Sequence, residues 1–275
     1  MLKNVQMYVN NAKRNALELS MKVRQELISS GYKIIEDGVQ IPDLVIGFGG
    51  DGTLLKWLSS RDYDTTAKYI GVNCGTLGFM QDFKVTDAKE FVSNIPNYVE
   101  QKLNFVYLEL VTEEKISQFY ALNEFDILSS EDKTFKTNVK VADEFLENFA
   151  GTGLIFCSPT GSTAHNLSSI GSVMFPGIEA MQMTPSEAIV NRKLRCLPKS
   201  ICVPKGMSVT LTSTSNDKIK IIADGKRIYD GEYVKMRIRY SNSYMIKLTD
   251  KKNSFVQTLH RNGLPCSLKE EKLGQ

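Results

Sequence analysis

The stretch Leu44-Val45-Ile46-Gly47-Phe48-Gly49-Gly50-Asp51-Gly52-Thr53 decides how the first third of this chain folds. Its short apolar opening reads as a buried strand, and Thr53-Leu54-Leu55-Lys56-Trp57-Leu58 reads as the helix that follows. Glycines around such a strand-to-helix turn let backbone N–H groups approach a phosphate without Cβ obstruction. Asp51 sits inside that anion cradle. Its charge opposes an anionic ligand unless a metal ion neutralises it or it takes a proton from the substrate, and both roles belong to phosphoryl transfer.

Three explanations fit the loop. One is a tight glycine turn with a solvated Asp. Another is the dinucleotide fingerprint, since Gly47, Gly49 and Gly52 fit G-x-G-x-x-G. That fingerprint expects an acidic residue about 20 positions on, at the end of the next strand. The next predicted strand, Tyr69-Ile70-Gly71-Val72-Asn73, ends in Asn73, and Asp51 would repel a pyrophosphate. The third is a kinase loop in which Gly49, Gly50, Gly52 and Thr53 close on phosphate.

Outward from the loop, Val5 to Val9 reads as an opening strand. Ala12, Ala16, Leu19, Val23 and Leu27 recur at helical spacing up to Gly31. A further helix is predicted around Asp87 to Ser93, and Pro96 closes the unit. Strands separated by helices imply an α/β N-terminal domain, a parallel sheet with flanking helices, over residues 1–98. From about Phe105 the pattern changes. Val106–Val111, Phe119–Leu128, Thr137–Val141, Leu154–Cys157, Ser208–Thr214, Lys218–Ala223, Tyr233–Arg239 and Tyr244–Leu248 read as strands. Asp224-Gly225 is a hairpin-turn signal between two of them. A β-rich C-terminal domain is expected over 99–258, with 259–275 packing back on the first domain and its last ten residues polar and frayed.

Composition narrows the function classes. The chain has 275 residues, 42% hydrophobic and 24% charged, with a formal charge of +3. Nothing there argues for nucleic acid, and Lys251-Lys252 reads as a solvated turn. No run approaches a membrane span, and the N-terminus lacks the apolar core of a signal peptide. Five cysteines without a C-x-x-C pair predict a reducing cytoplasm, with the thiols as buried packing groups. A cysteine nucleophile would have only His165 or His260 as its base, and His and Cys are too scattered for zinc.

Two further constellations carry chemistry. Ser158-Pro159-Thr160-Gly161-Ser162-Thr163-Ala164-His165-Asn166 follows a strand and predicts a helix N-terminus, either an ordinary cap or a donor set for a ligand oxygen. Asn123-Glu124, in an otherwise apolar strand, demands partners: buried protein groups, or adenine and ribose edges.

In this order, Gly-Gly-Asp-Gly-Thr, Asn-Glu and Pro-Thr-Gly-Ser-Thr-Ala resemble the ordered signature of the NAD kinase family (inorganic polyphosphate/ATP-NAD kinases). The likeness extends through Gly71-Val72-Asn73-Cys74-Gly75-Thr76-Leu77-Gly78-Phe79 and Asp224-Gly225. Diacylglycerol and sphingosine kinases share the first motif but not the other two. The resemblance implies transfer of a phosphoryl group from ATP or polyphosphate, with Mg²⁺ or another divalent cation, to the adenosine-ribose 2′-hydroxyl of NAD, giving NADP. It implies Asp51 as the general base, with Gly52 and Lys56 beside the phosphates and Phe79 against the adenine. Asn123 and Glu124 would hold the nucleoside. Thr163, Ala164, His165, Asn166 and Ser168 would line the same pocket, with Asp224 and Thr152 near it.

Three departures stand out. Ala150-Gly151-Thr152-Gly153 replaces the family's Arg-x-Asp-Gly, His165 replaces its Tyr, and Lys226 stands where Gln is frequent. Ala150 and Thr152 lack the charges that the resemblance implies for the nicotinamide end. The family also implies a cytoplasmic homodimer or homotetramer with its site in a cleft between two domains. The alternatives are a lipid or sphingoid-type kinase sharing the loop, and a non-catalytic NAD-binding sensor.

Overall fold

Leu44 to Gly49 are buried without a break, as a central strand covered on both faces requires. The computed structural model describes residues 3–36, 38, 40–75, 78–131, 133–190, 195–214 and 218–263. Along the chain run β1 (Asn4–Val9), α1 (Arg14–Ser29), β2 (Lys33–Ile35), β3 (Leu44–Gly49), α2 (Asp51–Ser59), β4 (Lys68–Asn73) and α3 (Ala88–Asn94). Then come β5 (Val99–Val111), β6 (Ile116–Ala121), β7 (Glu124–Ser129), β8 (Phe135–Val141), β9 (Glu144–Gly151), β10 (Gly153–Cys157) and the short α4 (His165–Ser168). The chain continues with β11 (Ala180–Ser186), β12 (Ile201–Pro204), β13 (Ser208–Ser213), β14 (Ile219–Ala223), β15 (Lys226–Gly231), β16 (Lys235–Thr249) and α5 (Phe255–Gly263).

Two compact units result. The described residues of Met1–Gln101 and Met245–Gln275 form one, and Lys102–Tyr244 the other. The divisions fall after Gln101 and Tyr244, whereas the sequence placed them near 98 and 258. Both fall inside long strands, β5 and β16, which give no local signal of a boundary.

In the first unit β2, β1, β3 and β4 are neighbours in a parallel sheet, and the last part of β16 runs parallel to β4 through Ile246 and Lys247. Helix α1 buries Ala16, Ser20, Val23 and Leu27. Ala12 is exposed ahead of the helix, and Ser20 takes a buried place by donating its hydroxyl to Leu17 O at 2.8 Å. Asp87 caps α3 by accepting from the N–H groups of Lys89 and Glu90. Val5, Leu44, Ile46, Phe48, Ile70, Val72 and Leu248 belong to the core.

The second unit has two antiparallel layers. One orders β16, β13, β8 and β9, with β5 beside β16 and β6 beside β5. The other orders β12, β11, β10, β7, β14 and β15. Leu108, Val139, Leu211 and Ile238 of the first layer meet Phe125, Ile127, Phe156 and Ile221 of the second in one core. The hairpin at Asp224-Gly225 joins β14 to β15, not to the later strand. Both turn residues have positive φ (48° and 79°), the geometry that makes Asp-Gly a favoured two-residue loop. Tyr233–Arg239 and Tyr244–Leu248 prove to be parts of one strand, β16. Its polar middle stays extended while Asn104 Nδ2 donates to Ser241 O at 3.1 Å.

Cys74, Cys157 and Cys196 are buried as expected, but Cys202 is exposed on β12. Thr76, Leu77 and Cys266, with the expected frayed end, lie outside the described residues. Among the described residues no helix is long and apolar enough to cross a membrane.

Candidate functional site

The glycines of the first loop divide by purpose. A Cβ at Gly49 would fall 2.0 Å from Thr53 Oγ1, and one at Gly47 would fall 1.8 Å from the Tyr69 hydroxyl. Those two positions are glycine because the strand is tightly packed. Gly50 and Gly52 instead face open space, with nothing within 4 Å of an added Cβ. Beside them lies a cavity of about 300 Å³ lined by Tyr8, Asn10, Asn11, Lys13, Gly50, Gly52, Thr53 and Lys56. Two lysines and the positive end of the α2 dipole give it a charge that favours an anion. Asn10, Asn11 and Lys13 were missed in the sequence. They stand in the turn after β1, and only the pairing of β1 with β3 brings them beside the loop.

Asp51 opens α2, and its carboxylate is held by three backbone donors. Phe79 N–H donates to Oδ2 at 2.8 Å, while Met80 N–H and Gln81 N–H donate to Oδ1 at 3.0 and 3.1 Å. A carboxylate has about four acceptor positions. Oδ1 uses two and Oδ2 one, which leaves one acceptor position on Oδ2. Phe79 is half-buried, and the contact seen for it here is through its backbone.

In the second unit the motifs meet at one corner. Asn123 is not within a strand: Leu122 and Asn123 form the bend that carries the chain from β6 to β7. Asp224 satisfies that bend, accepting from Leu122 N–H at 2.8 Å, Asn123 N–H at 2.7 Å and Glu124 N–H at 3.3 Å. Ser158 closes it from the other side, its N–H donating to Asn123 O at 2.9 Å and its hydroxyl to Leu122 O at 2.5 Å. Gly161 is pressed on the same carbonyl, where a Cβ would fall 2.0 Å from Asn123 O. The predicted helix after Pro159 is reduced to a 3₁₀ turn (Gly161–Thr163) and the four-residue α4.

Glu124 and Asp126 alternate along β7 onto one face, with Phe125 and Ile127 in the core behind them. Glu124 is 6% exposed, and its Oε2 has no hydrogen-bond partner. Burial, then the charges of Asp126 and Asp224, push its pKa up to about 8, while the backbone N–H of His165 pulls the other way. Burial also raises Asp126, opposed by His165, whose Nδ1 lies 2.9 Å from Asp126 Oδ1. The imidazole is half exposed. Asp126 went unrecognised in the sequence, although an acid two positions after Glu124 in an apolar strand was a signal.

The other expected residues fall into three settings. Asn166 is fully buried: it accepts from Thr184 Oγ1 at 2.6 Å and donates to Ser162 O at 3.3 Å. Thr163 ends the short 3₁₀ turn and Ala164 follows it, with Thr163 Oγ1 donating to Thr160 O. Thr152 and Ser168 are exposed elsewhere. Thr152 donates to Glu187 Oε2 at 2.6 Å, and Ser168 lines a separate cavity of about 410 Å³ with Thr184, Glu187 and Lys199. Ala150 is buried in the core, with its N–H donating to Cys196 Sγ. Among the described residues no group of three or more His, Cys, Asp or Glu is arranged to hold a metal.

Comparison with known proteins adds to this geometry. Residues 122–248 match a family model described as the ATP-NAD kinase C-terminal domain. The NAD kinase of Finegoldia magna is 32% identical over 256 residues, spanning 90% of this chain and 92% of that protein. NAD kinase 1 of Bacillus cereus is 33% identical over 231 residues, spanning 82% and 85%. Among solved structures, yeast NADH kinase complexed with NADH aligns with a TM-score of 0.87 at 18% identity, covering 98% of this chain and 90% of that one. An NAD kinase from Archaeoglobus fulgidus in complex with ATP aligns at 0.73 and 17% identity, covering 95% and 98%. At those identities the structures show the likeness of fold.

Proposed function

The chain belongs to the NAD kinase family, and from that premise we propose that it phosphorylates the adenosine-ribose 2′-hydroxyl of NAD to give NADP, with ATP or inorganic polyphosphate as donor. The observation that carries this reading is Asp51: one carboxylate, fixed by three N–H donors with one acceptor position left on Oδ2, between Gly50 and Gly52, which line a lysine-flanked cavity. A ribose hydroxyl donating to that position would be oriented for attack and would lose its proton to Asp51 as the new P–O bond forms. Lys13 and Lys56, with the first N–H groups of α2, would hold the donor phosphates.

A divalent cation such as Mg²⁺ fits a site that offers it one carboxylate, because such ions are commonly held by one or two carboxylates and by substrate phosphates. When bound it would neutralise phosphate charge. In the second unit, the unpartnered Glu124 Oε2 is suited to hydrogen-bond an adenine or ribose edge, with Asn123 beside it. Thr163, Ala164 and His165 would border that nucleoside. Asp224 and Asn166 would serve by holding the corner and the turn. The relatives' names favour this reading over a lipid-type kinase or a silent sensor. A cytoplasmic homodimer or homotetramer is the accompanying proposal, in keeping with the family.

The test is turnover by the purified protein with NAD, Mg²⁺ and either ATP or polyphosphate, reading NADP through an NADP-specific dehydrogenase. NADP formation with at least one donor is expected. NAD binding without NADP, or phosphate incorporated into diacylglycerol instead, would overturn the proposal.

A further inference from the structure

We propose that the C-terminal return of the chain, through Lys247, Thr249, Asn253 and Asn262, positions Asp51 for its reaction by fixing the segment that holds it. This inference rests on the role given to Asp51 above. The three donors on Asp51 come from consecutive residues, Phe79 to Gln81, so the carboxylate is placed only as well as that segment is.

Residues 78–83 have little regular structure of their own. Among the described residues their ladder contact is the bridge between Val72 and Phe83, where Phe83 N–H donates to Gly71 O at 3.0 Å and Asn73 N–H donates to Phe83 O at 2.8 Å. Gln81 adds a buried hydrogen bond from Nε2 to the Tyr69 hydroxyl at 2.7 Å. Further restraint comes from the far end of the sequence. Lys247 and Asp82 form an ion pair at 3.1 Å, with side chains 4% and 6% exposed. Thr249 Oγ1 donates to the same Asp82 oxygen at 2.6 Å, and Asn253 Nδ2 reaches it at 3.4 Å. At the other end of the segment, Asn262 Nδ2 donates to Gly78 O at 2.8 Å. Gly78 in turn abuts the reacting group, since a Cβ there would fall 3.0 Å from Asp51 Oδ1.

Four side chains of the return therefore grip both ends of the short run that carries the Asp51 donors. None of them lines the cavity beside α2. A buried ion pair adds little stability over apolar residues of the same size, whereas small displacements of a reacting group are costly to rate. These contacts make the four residues positioning residues: they act through Asp51 and leave the ligands untouched.

Thr249→Val removes the hydroxyl at constant shape, and Thr249→Ser restores it. The expected result for Thr249→Val is a fall in kcat of about tenfold, as a slight misplacement of a reacting group gives. KM for NAD and for the donor should stay within about twofold, and Thr249→Ser should recover most of kcat. Unchanged kcat in Thr249→Val, a loss confined to KM, or an equal loss in Thr249→Ser would overturn the proposal. Should Thr249→Val fail to fold by circular dichroism, Asn262→Leu carries the same test at the Gly78 end. Asp51→Asn is measured alongside. Full activity there removes the underlying reading, while collapse there with an unaffected Thr249→Val removes only the positioning role.

Discussion

Asp51 and Glu124 are both carboxylates read from the sequence as site residues, and the fold treats them in opposite ways. Asp51 stands at a helix start with three backbone donors already on it. Glu124 stands on a strand face with two other acids for company and one oxygen unpartnered. The first is a fixed acceptor; the second is a carboxyl whose ionised form is disfavoured by burial and by its acidic neighbours. Under the proposed function Asp51 would provide the chemistry and Glu124 would recognise the nucleoside.

Replacing Asp51 by Asn gives the largest effect if that division holds. It keeps the shape and removes the proton acceptor, so kcat should fall by about 10²–10⁴-fold, the usual contribution of a general base. The dissociation constant for NAD, measured by calorimetry, should barely change. Equal losses in binding and rate would merge the two roles.

Glu124→Gln tests the other side through pH. The folded-state pKa of about 8 lies above the ordinary 4.5, so the native state holds the proton more tightly than the unfolded chain. Its contribution to stability is full below pH 4.5 and is lost as pH rises towards 8. Wild-type stability in urea should decline through that window, on the order of a few kcal/mol. Glu124→Gln should decline less, with Asp126 still titrating beside His165. An unchanged slope would show that Glu124 is not the strained group.

Asp224→Ala probes the corner. It strips the acceptor from the N–H groups of Leu122, Asn123 and Glu124, and should cost about 2 kcal/mol or more in urea unfolding. NAD binding should weaken through the displaced Glu124, with Asp51 chemistry per bound NAD little altered. The smallest effect belongs to Lys13→Ala. It should raise KM for ATP or polyphosphate by about tenfold, the worth of one charge-assisted contact, and leave NAD affinity alone. A matching rise in KM for NAD would place Lys13 on the wrong ligand.

Much of this was legible one element at a time. The β3–α2 turn, α1 and α3 follow from local periodicity and caps, because parallel strands buried on both faces are continuous apolar runs. The β-rich unit was harder to read. β11 went unseen because Gln182 and Pro185 break its pattern; yet Gln182 is fully buried, accepting from Ser172 N–H at 2.8 Å and donating to Ser172 O at 3.2 Å. β15 is a mostly polar strand at the end of its sheet, with no apolar face to announce it. β9 was missed as well, and β16 was read as two strands across its polar middle.

The site shows the same divide. Local cost singled out Asp51 and the Asn123-Glu124 pair, because an acid in a glycine turn and polar groups beside an apolar strand need partners, while the resemblance to the NAD kinase family added their expected roles and Asp224. Pairings between residues far apart in sequence appeared only in the folded chain. Asp224 on the Leu122–Glu124 bend, Ser158 beneath it, Asp126 on His165, Lys13 beside the loop and the C-terminal residues on Asp82 are examples. Local sequence fixes what each residue needs. Which distant group meets that need depends on strand register and topology, and those are set by burying two cores at once.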